Sequence, residues 1–484
     1  MSATSDLPKS ARSQTEKAAL LSRGLGVGSV VFMVIAAVAP LGAACAVIPL
    51  VFVLSGNAVA PLYIIGAAIV LGIFAVGFTL MSRHVKNAGA FYSYVQAGLG
   101  KIPGAGTASL ALVTYTILLI SLYALLGVFA SDAVQHYLHL DVHWWISAMV
   151  AMAIIALLGY RDIEVSAKVL GVALVLESLV VIIIDLAINF QGGASGFSAA
   201  PINPAHIFSG APGLGLMFAF FAFVGFEATA VFRSEARDPE RTIPRATYAA
   251  IAIIGGMYAF TSWSVAIGVG PNKVATAIAS NPSNTIQALA TRYVGSAMND
   301  AVTILLVSSL FACCLSFHNV IARYQFNLAN GRVLPKFLGA VHPKHLAPSS
   351  SSVVVTVISA VSLGVLTAAG LDPVLQIYTW LSGAATLGVL LLMLLTSVAV
   401  IAYHQRGNHD DPVWNAVIAP ILSFGALGFV VYMVVKNLNL LVSGQTAADW
   451  VCIGLAVAFA GGAGTTAIAK LRSPERYARI LEDD

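Results

Sequence analysis

The sequence predicts an all-α membrane protein that crosses the bilayer many times. Of its 484 residues, 58% are hydrophobic and only 10% are charged, whereas an ordinary soluble domain carries about 25% charged residues. A chain with so few charges cannot cover itself with a surface that water solvates, so lipid must surround most of it. The formal net charge of +4 is small and does not point to nucleic-acid binding.

Twelve apolar segments come near the length of about 20 residues that a helix needs to cross a bilayer. We therefore predict twelve transmembrane helices, with the lipid bilayer as their main partner and no obligate protein partner. Numbered span 1 to span 12 in chain order, the segments are 26–54, 59–81, 105–131, 145–159, 166–189, 212–233, 248–270, 300–325, 351–369, 373–402, 413–435 and 450–469.

The basic residues predict that both termini are cytoplasmic, because loops rich in Lys and Arg stay on the inner side of the membrane. An even number of spans places the tails 1–25 and 471–484 on the same side. Only Lys273, Arg292 and Lys436 of the 25 basic residues then fall in outer loops. The inner loops receive Arg83, Lys86, Lys101, Arg161, Arg237, Arg241, Arg245, Arg332, Lys336, Lys344 and Arg406. We expect a multi-pass protein of the cell membrane.

Span 6 carries a carboxylate near the middle of an apolar run that is long enough to cross the bilayer. Glu227 follows Gly225 by two residues in this run. A charge at this depth costs about 2.5 kcal/mol or more, so such residues usually face a cavity or a partner. Gly225 is a place where the helix can unwind, and unwound backbone within the membrane must line protein or water. We predict a broken helix at the centre of a transport site.

Span 1 contains a second candidate for a break, at Pro40 and Gly42. Proline removes a backbone donor and clashes with the preceding turn. The two candidate breaks are five spans apart, which is the separation that two inverted repeats of five spans would give. The alternative is that Pro40 merely kinks the helix. The predicted organisation is a ten-helix core at 26–402, with inverted repeats at about 26–189 and 212–402, and two additional helices at 403–470.

Several motifs of the chain occur together in one family of transporters. They are Phe221-Ala222-Phe223-Val224-Gly225-Phe226-Glu227, Asp238-Pro239-Glu240-Arg241-Thr242-Ile243-Pro244-Arg245-Ala246, Gly89-Ala90-Phe91-Tyr92-Ser93-Tyr94, Ser316-Phe317-His318-Asn319 and Asn330-Gly331-Arg332-Val333-Leu334-Pro335. Over residues of about 25–410, the chain resembles the amino acid-polyamine-organocation permeases. The resemblance implies a five-plus-five inverted-repeat core and secondary transport of amino acids or amines.

The resemblance also implies where a substrate binds, namely between spans 1 and 6, with spans 3, 8 and 10 closing around it. In the family, the substrate carboxylate meets backbone N–H groups of the broken span 1, and its ammonium group meets backbone carbonyls. This agrees with the partial charges at the ends of half-helices. The candidate substrate-binding residues are Ala39, Pro40, Leu41, Gly42, Phe223, Gly225, Phe226 and Glu227.

Two positions depart from the family pattern. Most members carry a Gly-Ser-Gly-like step in span 1, where this chain has Ala39-Pro40-Leu41-Gly42. Because proline lacks an N–H group, one donor to a carboxylate is missing, which leaves room for amines or other small metabolites. In proton-coupled members, a lysine of span 5 occupies the position that falls on Glu177 here.

Glu177 is therefore the candidate for ion coupling, since ionisable residues within a membrane commonly serve as proton sites. It binds the coupling proton, or it helps to hold a sodium ion together with Ser316 of span 8. The alternative is a protonated glutamate that only makes a hydrogen bond to a neighbouring helix. For Glu227, the options are a substrate ammonium group, a proton, or backbone N–H groups of the break.

Other polar and aromatic residues of the spans receive lesser roles. Asp185 lies near the outer end of span 5, where we expect it to be solvated. His318 is expected to make a satisfied polar contact. Tyr115, Tyr378 and Trp380 are candidates to line the cavity.

The sequence thus predicts a transporter of an amino acid or related small amine, coupled to protons and working by alternating access. The alternatives are a sodium-coupled or exchange permease for a polyamine, another amine or potassium and, with less support, a channel. No nucleophile with a base, phosphate loop or His/Cys cluster occurs at usable spacing, and the four cysteines lie in apolar runs. We therefore expect neither enzymatic activity nor a bound metal or cofactor.

Overall fold

The computed structural model of the protein describes residues 25–85, 91–160, 167–340, 348–407 and 411–473, together with Tyr477 and Ile480. In these residues the chain is helical and forms no β-strand, which confirms the all-α class. The N-terminal tail and most of the C-terminal tail predicted above lie outside the described residues. The same holds for Gly89, Ala90, Lys86, Arg161 and Lys344.

Helical structure coincides with every predicted span. In chain order, the helices are Val27–Val38 and Pro40–Ser55 (span 1), Ala60–His84 (span 2), Lys101–Leu138 (span 3), Trp144–Tyr160 (span 4), Ala167–Phe190 (span 5), Pro212–Phe221 and Ala228–Val231 (span 6), Pro239–Val269 (span 7), Ser296–Asn330 (span 8), Ser349–Ala368 (span 9), Thr379–Arg406 (span 10), Ala419–Leu441 (span 11) and Gln445–Arg472 (span 12).

Nine single helices of the described chain are long and apolar enough to cross a membrane, and span 1 makes ten when its two halves count as one. The helices Trp144–Tyr160 and Pro212–Phe221 have only 17 and 10 residues. At a rise of about 1.5 Å per residue, neither alone reaches across a hydrocarbon layer of about 30 Å. The count of twelve spans and the inverted repeat therefore stay predictions.

Short helices connect the spans. Phe91–Leu99 precedes span 3 and packs closely against span 10, because a Cβ atom at Gly98 would lie only 2.1 Å from the carbonyl oxygen of Ala399. Residues 91–94 of the family motif thus belong to a separate helix before span 3. On the predicted outer side, Val274–Ala277 and Thr285–Tyr293 lie between spans 7 and 8.

Burial separates central spans from peripheral ones. Spans 3 and 10 are the most buried, with 72% of the most apolar stretch of each covered by other parts of the protein, against 33% for span 11 and 17% for span 12. An apolar helix with so little protein contact must face lipid. Span 12 packs against span 3 through Gly106 and Gly462, whose missing side chains make room for Phe459 and for the backbone of Ala105.

Candidate functional site

Span 6 is interrupted at its predicted glycine. The helix ends at Phe221, residues 222–227 form consecutive turns, and a short helix begins at Ala228. Gly225 has a φ of 112°, a backbone conformation that residues with a Cβ atom adopt only at a cost of about 1–3 kcal/mol. Glycine at position 225 therefore allows the helix of span 6 to be interrupted here.

Glu227 is buried at this break and bonds to it. Its Oε2 atom accepts a hydrogen bond of 2.9 Å from the backbone N–H of Gly225, and its Oε1 atom accepts one of 2.8 Å from the hydroxyl of Tyr115 on span 3. The carboxyl group thereby satisfies a backbone donor that the interrupted helix leaves free. Three partners were considered for Glu227 above, and the one seen in the structure is a backbone N–H group of the break.

Span 1 is interrupted at Ala39, one residue before the predicted position. Ala39 has φ 52° and ψ 77°, and its left-handed conformation ends the first half-helix. Pro40 then occupies the first turn of the second half, where its missing N–H group is no loss and its fixed φ suits the helix. The two halves meet at a bend of 40°. Proline thus begins a half-helix here, and the alanine before it carries the strained conformation.

Glu177 reaches this break from span 5. Its Oε2 atom accepts a hydrogen bond of 2.8 Å from the hydroxyl of Ser309 on span 8, and the carboxyl group also accepts one from the backbone of Leu41. The Leu41 N–H lies in the first turn of the second half-helix, where backbone donors lack partners within the helix. Glu177, only 4% exposed, therefore joins spans 1, 5 and 8.

The structure shows a different partner for Glu177 on span 8 from the predicted Ser316. Ser316 is exposed on the helix surface, whereas Ser309, two turns earlier, makes the bond. Cys45, Tyr258 and Cys313 are close enough to interact electrostatically with Glu177. The hydroxyl of Tyr258 is buried without a hydrogen-bond partner in the described part of the chain.

A cavity of about 40 Å³ lies between the two breaks. Ala39 and Gly42 of span 1 line it, and span 6 contributes Phe221, Ala222 and Val224. The remaining lining comes from spans 3, 8 and 10, namely Leu118, Leu122, Leu125, Leu310, Cys313, Phe317 and Tyr378, together with Val38, Ala43 and Val47 of span 1. These are the spans between which the resemblance implies a substrate, and substrate binding there stays a prediction.

The structure does not bring all predicted substrate-binding residues to this cavity. Of the eight, Ala39 and Gly42 line it, whereas Pro40, Leu41, Phe223, Gly225, Phe226 and Glu227 are absent from its described lining. The predicted candidate Tyr378 does line it, and Tyr115 bonds to Glu227 instead.

Phe226 and Phe223 pack into the protein core on sides other than the cavity. The ring of Phe226 lies 6.3 Å and 6.1 Å, centre to centre, from those of Phe74 and Phe78 on span 2. Phe223 lies beside Gly255 of span 7. Since aromatic pairs at this spacing stabilise a core by about 0.5–1.5 kcal/mol, Phe226 holds the break in position against span 2, while Phe223 packs against span 7. Phe221, which was not among the predicted substrate-binding residues, lines the cavity in their place.

Asp185 is buried, which contradicts the expectation that it is solvated. It is only 1% exposed and accepts a hydrogen bond of 2.6 Å from the Thr261 hydroxyl of span 7. Ser264 also bonds to its carboxyl group, and Asn189 donates to the Ser264 hydroxyl at 2.8 Å. In the sequence, the only sign that Asp185 is buried would have been Thr261 and Ser264 of span 7. They are three residues apart and therefore lie on one face of that helix.

His318 meets only part of the expectation of a satisfied polar contact, because its Nδ1 atom is buried without a hydrogen-bond partner among the described residues. Its Nε2 atom lies 2.8 Å from the Ser352 hydroxyl of span 9, and its ring packs against Gly159 of span 4. This histidine therefore belongs to helix packing and is absent from the described cavity lining.

The predicted inner ends of spans 1 and 6 are tied together. The backbone N–H of Arg237 donates to the carbonyl of Leu25 at 3.0 Å, within an isolated bridge between Leu25 and Ala236. Arg241 and Asp238, both after span 6, form an ion pair, but at 3.8 Å and with both side chains more than half exposed it contributes little. The backbone bridge is therefore the contact that joins these two ends.

A helical membrane protein in which two interrupted helices border one cavity has the architecture of a small-molecule transporter. The family model of the amino acid permeases matches residues 25–473, almost the whole chain. The protein belongs to the amino acid permease family, within the amino acid-polyamine-organocation superfamily.

Curated relatives of the chain are transporters. It is 25% identical to the branched-chain amino acid permease BcaP of Lactococcus lactis, over 82% of this chain and 85% of the relative. It is 24% identical to the low-affinity putrescine importer PlaP of Escherichia coli, over 61% and 66%. An uncharacterized transporter of Mycobacterium tuberculosis is 29% identical, but the match spans only 56% of each chain, little more than half of that relative.

Proposed function

We propose that this permease is a proton-coupled secondary transporter of an amino acid or a related small amine. It works by alternating access across the cytoplasmic membrane, with twelve spans, both termini in the cytoplasm and a five-plus-five inverted-repeat core. The observation that carries this proposal is the cavity between the breaks of spans 1 and 6, with a buried carboxyl group bonded to backbone at each break.

The backbone of the two breaks supplies the polar groups that a charged headgroup needs. A half-helix that begins in the membrane presents partial positive charge, and one that ends there presents partial negative charge. Val38 and Ala39 line the cavity at the end of one half-helix, and Gly42 and Ala43 line it in the first turns of the next. A zwitterionic cargo can therefore be held without charged side chains.

The cavity lining favours an amino acid over a polyamine. The described residues that line it include no acidic or basic side chain, and Tyr378 supplies their only hydroxyl group. A cargo with two or more ammonium groups would leave at least one charge unpaired in this apolar space, which costs several kcal/mol. A cargo whose side chain is small and uncharged suits the lining.

The surroundings of Glu177 favour a proton over a sodium ion. Sodium, like other hard cations, requires several oxygen ligands. Glu177 has one hydroxyl bonded to it, from Ser309, while its further neighbours include the thiols of Cys45 and Cys313. Thiols suit softer metals, so a site with this composition binds a proton more readily than sodium.

Transport by the full-length protein in proteoliposomes tests this function. A thermal-shift screen against amino acids and amines identifies the ligand, because binding to the native state raises the melting temperature. We then expect accumulation of that ligand under an imposed pH gradient without sodium. Accumulation that needs a sodium gradient and ignores the pH gradient would overturn proton coupling.

Alkylation of two adjacent cysteines of span 8 tests whether the ligand binds in the cavity. Cys313 lines it, whereas Cys314 is fully buried and not part of its described lining. In a variant that retains Cys313 and replaces the other three cysteines with Ala, the ligand should slow alkylation of the thiol. The matched variant that retains only Cys314 should show no such protection. Equal protection of both would place the ligand elsewhere.

The second candidate is a permease for a small amine such as putrescine, and it rests on the similarity to PlaP. Competition distinguishes the two. If putrescine displaces the ligand found in the screen at comparable concentration, the amine is the cargo, and the argument from the uncharged lining is wrong.

A further inference from the structure

Three side chains from two distant parts of the sequence meet where spans 2, 10 and 11 approach one another. His84 ends the helix of span 2, His404 lies in the last turn of span 10, and Asp411 precedes span 11. The Nε2 atoms of His84 and His404 lie 2.9 Å and 3.0 Å from the same carboxylate oxygen, Oδ2 of Asp411. One donor atom from each residue lies within 4.8 Å of the donor atoms of the other two.

The hydrogen bonds of His404 show that this cluster requires a positive charge. Its Nδ1 atom lies 2.9 Å from the backbone carbonyl of Val400, and a carbonyl only accepts, so Nδ1 carries a hydrogen. A neutral imidazole then has a lone pair on Nε2, but Nε2 faces the carboxylate of Asp411, which at neutral pH is also only an acceptor. Either a second proton or a metal ion must lie between these two atoms.

We infer that His84, His404 and Asp411 form a binding site for one divalent transition-metal ion of the zinc class. Two imidazoles and one carboxylate are a common ligand set for such ions, whereas magnesium and calcium prefer oxygen ligands throughout. The bond from Nδ1 of His404 to the Val400 carbonyl is the outer contact that usually fixes the tautomer of a metal-bound histidine.

Two of the three donor-atom spacings are close to those of a zinc site, and the third, between the two imidazole nitrogens, is at most 4.8 Å. With bonds of about 2.0–2.1 Å and tetrahedral angles, ligand atoms of a zinc site lie about 3.3 Å apart. The observed separations of 2.9 Å and 3.0 Å are shorter by only a few tenths of an ångström, which side-chain rotation can supply. The fourth position would be taken by water or another ligand, as in sites with three protein ligands.

The Asp411 carboxylate supplies the negative charge that favours a cation. The nearest basic residue on the span 10 helix, Arg406, donates to the carbonyl of Gly98 at 2.8 Å, so this hydrogen bond is made outside the site. His404 is only 5% exposed and Asp411 18%, so the ligands are shielded from solvent while an ion can still enter beside His84, at 24%.

A bound ion would tie the connection into span 11 to the ends of spans 2 and 10. Spans 2 and 10 belong to the predicted transport core, and span 11 to the two additional helices. The site is separate from the cavity, since none of its three residues contributes to the described cavity lining. A variant can therefore lose metal binding at this site and keep transport through the cavity, or lose transport and keep metal binding.

Zinc titration of the full-length protein tests the site. The protein is purified with a tag that contains no histidine and is treated with a chelator. It is then titrated with zinc and, in a separate experiment, with magnesium, which prefers oxygen ligands. We expect one zinc ion per chain by calorimetry, a melting temperature that rises with zinc, and no effect of magnesium. His404→Asn and Asp411→Asn should each weaken zinc binding about tenfold or more, since loss of even an outer-shell contact costs 10–100-fold.

Two further variants separate loss of a ligand from loss of fold. Asp411→Cys supplies a thiolate ligand and should retain zinc binding. The matched control is His136→Asn, because His136 and Asp300 form a similar pair at 2.9 Å that belongs to no three-ligand group in the described chain. Its zinc affinity should equal that of the wild type. Absent stoichiometric binding, or equal affinity in the wild type and Asp411→Asn, would overturn the inference.

Discussion

The two buried carboxyl groups of the candidate site differ in what they hold together. Glu227 bonds to a backbone donor two residues away on its own helix and to Tyr115 of span 3. Glu177 belongs to span 5, which is continuous, and bonds to Leu41 of span 1 and Ser309 of span 8. One carboxyl group stabilises the break of the helix that carries it, whereas the other spans three helices.

Under the proposed function, this difference gives the two groups different tasks. A bond between residues 225 and 227 is kept when helices move as rigid bodies, so Glu227 can hold its break through the transport cycle. The contacts of Glu177 depend on the relative positions of spans 1, 5 and 8. Whether Glu177 carries a proton therefore affects contacts between helices, and this is what the coupling of an ion to a conformational change requires.

The largest effect is expected at Gly225, where the break of span 6 depends on glycine. Gly225→Ala places a Cβ atom at φ 112°, which costs about 1–3 kcal/mol, and we expect it to abolish uptake. Ala39→Gly changes a residue that already has φ 52° and should keep stability within about 1 kcal/mol of the wild type. Melting temperature and uptake check both variants. Equal tolerance at the two breaks would contradict this account of span 6.

A loss of stability, rather than the loss of uptake expected at Gly225, follows when Glu227 is shortened. Glu227→Ala leaves the Gly225 N–H and the Tyr115 hydroxyl buried without an acceptor, at about 1–3 kcal/mol for each group. Glu227→Gln retains one acceptor oxygen and should fall between this variant and the wild type. Thermal unfolding in detergent measures the order of the three proteins. If Glu227→Ala were as stable as the wild type, the hydrogen bonds of Glu227 to Gly225 and Tyr115 would not stabilise the protein.

The smallest effect is expected at span 8, where the comparison concerns two serines. Ser309→Ala removes one hydrogen bond to Glu177 and should destabilise the protein by about 0.5–1.5 kcal/mol, with a measurable shift in the pH dependence of uptake. Ser316→Ala alters an exposed position and should match the wild type in both. The reverse outcome would restore Ser316 as the partner of Glu177.

The break of span 6 could be predicted because its determinants are local. Gly225 and Glu227 are two residues apart, and the geometry that links them requires no other part of the chain. The break of span 1 was placed one residue late, because a proline in sequence does not show whether it kinks a helix or begins one. In the structure Pro40 begins a half-helix, and Ala39 absorbs the change of direction.

The contacts between helices could not be predicted in the same way. Ser309 and Ser316 lie on nearly the same side of one helix, since seven residues make about two turns, and only the height at which span 5 packs selects Ser309. Asp185 was expected in solvent from its place near a helix end, but Thr261 lies 76 residues further along the chain and covers it. His84 and Asp411 are 327 residues apart, which is why no metal spacing is visible in the sequence.

The most direct measurement compares Glu177→Gln and Glu227→Gln in proteoliposomes, by accumulation under a pH gradient and by counterflow of the ligand without one. The account predicts that Glu177→Gln loses gradient-driven accumulation by about 5–150-fold, the range of typical coupling free energies, while its counterflow stays near the wild type. Glu227→Gln should lower both activities to the same extent. Full gradient-driven accumulation in Glu177→Gln, with its specific loss in Glu227→Gln, would contradict the assignment of the coupling proton to Glu177.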